Sequence, residues 1–181
     1  HDTGSLRYPV DLVPFGGVTS DNGEIAWPPD MAVVMNVAAY DEVLAAAEIV
    51  GFVPGLACRV ASLPGLAVLK LFAWSDRGQG NPKDAHDLLY LMSNYHAAGN
   101  TGRLYDAEYA LLEAADHDPE LAGACLLGRD VARFVTEKTL ARLKGLIDDS
   151  HASLVRAMTS AIRHQEHAQQ RIERSLQQFR H

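Results

Sequence analysis

Cysteine is scarce: Cys58 and Cys125 are the only two in 181 residues. They lie far apart with no C-x-x-C spacing, so a cysteine scaffold is excluded and both read as small buried hydrophobes of a reducing compartment, a single disulfide being the alternative. An excess of positive charge is lacking too. The formal net charge of -7 argues against a surface that coats nucleic acid, while leaving room for a local basic site. No apolar run approaches the roughly 18 residues of a membrane span and no signal peptide opens the chain, so the cytoplasm is the expected compartment. G-x-S-x-G, Walker A, H-E-x-x-H and G-x-G-x-x-G are all absent, which removes the fingerprints of the common hydrolase, P-loop, zincin and dinucleotide-binding sites.

What is present is an ordinary globular composition, 48% hydrophobic and 22% charged, in a chain long enough to bury a real core. Strand signals are confined to the first part. Tyr8 to Val13 reads as a strand that carries Asp11 among Val and Leu residues, and an edge-strand charge is one explanation of that acid. Asn22-Gly23 signals a tight turn flanked by Val18 and by Ile25 to Trp27. Ala32 to Val37 and a buried Ala57 to Ala61 read as further strands, and Asp41 to Ala47 as a helix.

The stretch from Cys58 to Tyr95 carries the chemistry. Ser62 is placed as an N-cap with Pro64 in the first turn, which predicts a helix from about Leu63 to Asp76. Apolar residues cover most of its circumference and Lys70 interrupts them. An ammonium in such surroundings must reach an edge or meet a carboxylate or phosphate. Arg77 follows at i+7 on the same face. Gly78-Gln79-Gly80 ends the helix, and Asn81-Pro82 starts a second one whose first turns hold Lys83, Asp84 and Asp87. Favourable interaction with the helix N-terminus explains the two acids without further function.

Beyond Leu104 only helices are expected: Leu104 to Ala115, Pro119 to about Phe134, a third capped by Thr136 and ending near Asp148, and a last one from His151 to Arg180. Val155, Met158, Ile162, Gln165, Gln169, Ile172, Leu176 and Phe179 give the last a heptad seam, which packs on its own domain or joins a second copy. His164 and His167, three apart, read as surface residues rather than metal ligands. The fold class expected is α+β, a small mixed β-sheet with packed helices followed by an all-helical C-terminal part. The divisions are 1–100 for the α/β part, 101–150 for helices packed on it and 151–181 for the terminal amphipathic helix.

A strand carboxylate, a lysine and an arginine on one helix face, and an acid pair after a turn suit a nucleotide phosphate with magnesium. V-D-L-V-P-F-G-G-V at 10–18, A-S-L-P-G-L-A-V-L-K-L-F-A-W-S-D-R at 61–77, K-D-A-H-D-L at 83–88 and L-L-G-R-D-V-A-R at 126–133 resemble the AbiEii-type nucleotidyltransferase-like family. This is a branch of the polymerase-β-like superfamily that includes toxins of toxin–antitoxin and phage-defence systems. The resemblance implies Mg2+-dependent transfer of NMP from an NTP to RNA, protein or another acceptor, with an antitoxin or a second copy as partner through the helical part. It also implies roles for residues: Asp11 as a catalytic, metal-binding carboxylate, Lys70 as a catalytic lysine on the triphosphate, Asp84 and Asp87 as an acid pair of supporting or catalytic role, and Arg77, Lys83 and Asp87 around the nucleotide. In the superfamily two further carboxylates come from a Gly-Ser…Asp-x-Asp motif. No Asp-x-Asp follows Gly4-Ser5 in the sheet-forming half, and the sequence opens on His1 just before the Asp11 strand. The expectation is a native protein longer by a strand–helix–strand unit, or a degenerate remnant acting as a nucleotide-binding or protein-interaction module.

Overall fold

A computed structural model describes residues 10–78, 80–162 and 167–181. Among the described residues four strands precede all but one of eight α-helices: β1 Glu24–Ala26, β2 Val34–Asn36, α1 Tyr40–Ala45, β3 Glu48–Val53, β4 Leu56–Val60, α2 Leu63–Arg77, α3 Lys83–Asn94, α4 Thr101–Tyr105, α5 Tyr109–Ala114, α6 Pro119–Ala132, α7 Glu137–Ala161 and α8 Ala168–Arg180. The expected α+β class is observed, with strands first and helices after. The strands form two separate antiparallel pairs, β1 with β2 and β3 with β4.

The helices begin where local chemistry dictates. Ser62 Oγ accepts from the Gly65 N–H at 3.3 Å to cap α2, and Asp118 Oδ1 accepts from Glu120 and Leu121 to cap α6. Thr136 Oγ1 accepts from the Thr139 N–H to cap α7, while its own N–H donates to Glu42 Oε1 of α1 at 2.7 Å. Such caps satisfy donors that a helix leaves open and contribute about 1 kcal/mol each.

The core is helical. Val68, Leu71 and Phe72 of α2, Leu88 and Met92 of α3, Leu121 to Leu127 of α6, Leu154 and Met158 of α7, and Ile172 and Leu176 of α8 are all buried. The run of seven consecutive buried residues on α6 marks it as the central helix, since only a helix covered on all sides hides every position. Two glycines permit that enclosure. A Cβ at Gly123 would overlap His96, and one at Gly128 would overlap the Phe179 backbone of α8.

Several expectations change. Val10 to Val13 joins no ladder, so the strand expected at Tyr8–Val13 is absent over its described part and Asp11 lies exposed in coil. The turn at Asn22-Gly23 forms, with Gly23 at φ 79°. The strand after it, however, pairs with β2 (Ile25 opposite Met35) rather than with Val18, because the chain reverses again at Pro28 to Met31. β4 is exposed, not buried, and so is its Cys58; only Cys125 is a buried thiol. Its partner β3 was not foreseen, although Ile49, Val50, Phe52 and Val53 followed by Pro54-Gly55 are a hairpin pattern. Leu104–Ala115 is broken into α4 and α5. The helix capped by Thr136 runs on through Ser150 to Ala161, and α8 is a separate helix, so the expected boundary at 150/151 falls inside α7. Of the seam, Val155, Met158, Ile172, Leu176 and Phe179 are buried within the chain's own core, where α8 packs on α6 and α7. Gln165 and His164 lie outside the described residues.

Because α8 lies directly on α6, Gly128→Ala forces the two helices apart. The expected loss is about 2 kcal/mol, within the usual range for overpacking, read as a lowered urea midpoint; an unchanged midpoint contradicts this packing.

Candidate functional site

The turn between α2 and α3 folds the second helix back along the first. Gly78 makes this possible, since the chain passes so close to the Trp74 ring that a Cβ at 78 would overlap it. Asn81 Oδ1 then accepts the Lys83 N–H at 3.0 Å and opens α3. The result sets α2's cations against α3's acids.

Asp84 is the centre of the arrangement, with its side chain only 1% exposed. Its Oδ1 accepts from Lys70 Nζ at 3.1 Å and from Arg77 Nη2 at 3.2 Å, and its Oδ2 accepts from Arg77 Nε at 2.8 Å. Lys70 Nζ also lies 2.5 Å from Asp87 Oδ2. The Lys70 side chain is 25% exposed and that of Arg77 58%, so both side chains are partly open to solvent beside a buried anchor. Burial works against ionisation of Asp84, but hydrogen bonds from Arg77 and Lys70 outweigh it and hold the carboxyl below its usual range. Burial likewise opposes the charge on Lys70, and bonds to Asp87 and Asp84 raise its pKa in spite of that. The lysine that needed an anion has two.

The structure therefore brings together Lys70, Arg77, Asp84 and Asp87. Lys83 adjoins them on the chain, is exposed, and makes no ion pair among the described residues. Asp11 is exposed and takes part in no ion pair or side-chain hydrogen bond to these residues. Among the described residues no group of three or more His, Cys, Asp or Glu side chains could hold a metal ion. The resemblance implies a metal at Asp11, which makes no bond to this cluster, while Asp84 and Asp87 face cations. The chain's one Asp-x-Asp, Asp116-His117-Asp118, is at the start of α6, where Asp118 serves as the cap and Asp116 pairs with Arg174.

Sequence reading missed a second ionic cluster. Asp130 accepts from Tyr95 Oη at 2.6 Å and from both Arg103 Nη atoms at 2.8 and 2.9 Å, and also meets Arg133. Glu108 joins Arg129 and Arg133. Residues 126–133, quoted above for a resemblance, thus tie α6 to the α4–α5 region. The signal available was an acid, beside Arg129, at the end of a run of apolar residues.

A family model described as "Nucleotidyl transferase AbiEii toxin, Type IV TA system" matches residues 4–180 of this chain. No curated protein and no solved structure matched.

Removing the Asp84 carboxylate leaves Lys70 with Asp87 and leaves Arg77 free to hydrate, so Asp84→Ala is expected to cost about 2 kcal/mol at pH 7, below the full cost of stranding a buried charge. A lowered folded pKa means that this contribution is present above about pH 4 and disappears as pH falls through the lowered value. Urea unfolding from pH 7 to pH 2 should show the gap between native and variant closing at the acid end; a gap that does not vary with pH contradicts the assignment.

Proposed function

The chain belongs to the AbiEii nucleotidyl transferase family, whose description is that of a Type IV toxin–antitoxin toxin, and from that premise we propose that it binds a nucleoside triphosphate at the α2–α3 corner. The reaction that goes with this site is transfer of NMP from an NTP to RNA, protein or another acceptor. One observation carries the reading: Lys70 and Arg77 are fixed side by side on a buried carboxylate and still reach solvent. Two guanidinium or ammonium groups held in this way suit the oxygens of a polyphosphate.

Each residue then has a distinct part. Lys70 and Arg77 face the phosphates, and Lys83 extends the positive charge at the start of α3. Asp84 positions the two cations, because both its oxygens are already engaged. Asp11 is the exposed carboxylate that the superfamily places at a metal, and an antitoxin is the partner that the family description supports. Among the described residues no further potential ligands gather with Asp11 into a group of three or more. The engagement of both Asp84 and Asp87 by cations favours a second reading, a nucleotide-binding or protein-interaction module without transfer chemistry.

Isothermal titration with MgATP and MgGTP tests the site. Binding of at least one is expected, weakened roughly tenfold or more by Lys70→Ala, as expected for loss of a charge-assisted hydrogen bond. No binding to the native chain, or undiminished binding by the variant, overturns the reading. Labelled nucleotide on the α-phosphate separates the two readings, since only a transferase passes label to an acceptor.

A further inference from the structure

The two acids of α3 that meet Lys70 differ in what they could give up. Asp84 is buried and receives three hydrogen bonds from two cations. Releasing it would strand a carboxylate in an apolar setting, so it stays. Asp87, one turn later, is 39% exposed, and among the described residues Lys70 is its only ionic partner. A carboxylate so placed can turn to water at little cost.

Lys70, Arg77, Asp84 and Asp87 together carry two positive and two negative charges. An arriving anion therefore meets an ammonium already engaged by Asp87. Lys70 has three donors on Nζ, and Asp84 and Asp87 engage its inward and outward sides. We propose that Asp87 is an exchangeable counter-ion: it holds Lys70 in the empty protein and yields the ammonium to a phosphate oxygen of an incoming polyphosphate. Occupancy of the site is then a competition between one carboxylate and one phosphate. Asp84 keeps the cations in place throughout the exchange. The inference rests on the reading of Lys70 as phosphate-facing, but it requires neither a base nor a sugar on the ligand.

The test uses inorganic tripolyphosphate as probe, titrated calorimetrically into the native chain, Asp87→Asn, Lys70→Ala and the double variant. Asn keeps the size of the side chain and removes the competing charge. Asp87→Asn should bind roughly fivefold more tightly than the native chain, the scale of a partly exposed ion pair, and this gain should vanish when Lys70 is also replaced. Unchanged or weaker binding by Asp87→Asn overturns the proposal, as does a gain that persists without Lys70, which would reflect a general field, and as does absence of tripolyphosphate binding to every variant. If tripolyphosphate shows the expected pattern while MgATP and MgGTP do not bind, the exchange stands and the nucleotide reading falls.

Discussion

A buried carboxylate that holds two cations is the constraint around which this corner of the protein is organised. Asp84 can be hidden from water only because Lys70 and Arg77 of α2 reach it. They reach it only because Gly78 lets the chain turn tightly against Trp74. The ion cluster thereby fixes the register of α3 on α2, and α3 in turn lays Leu88 and Met92 into the core shared with α6 and α7. Charge placement and helix packing are one arrangement here. The same two partly exposed side chains are what the proposed ligand would meet.

The core and the candidate site were legible in the sequence to different degrees. Both helices of the corner could be read from Ser62, Pro64 and Asn81-Pro82, because caps act locally and leave local signatures. The demand of Lys70 for an anion could also be read, since an ammonium on an apolar helix must be answered. Which anion answers it could not, because a pairing fourteen positions away depends on the angle at which two helices meet. The Asp130 cluster was hidden for the same reason: Arg103, Glu108 and Tyr95 come to it from other elements.

Strands were harder to place than helices. Tyr8 to Val13 has strand composition, yet a strand exists only with a partner, and residues 10–13 pair with no other described segment. β3 and β4 pair with each other and stay exposed throughout, with Ile49, Phe52, Val53 and Leu56 open to solvent. The apolar sequence of β4 suggested burial, but composition does not say which neighbour covers a face. The length of α7 was obscured by Ser150-His151, which looked like a boundary. Leu154, Val155 and Met158 carry the helix through it by continuing the buried stripe.

The central claim is that Lys70 and Arg77, anchored on Asp84, receive the phosphates of a nucleotide. The most direct measurement is a nuclear magnetic resonance titration of the labelled chain with ATP, following the Arg77 Nε–H signal and the backbone amides of residues 70–87. The account predicts that the largest shifts fall on Arg77 Nε–H and on the amides around Lys70 and Asp87. Shifts centred elsewhere on the surface, or none at saturating nucleotide, would contradict it.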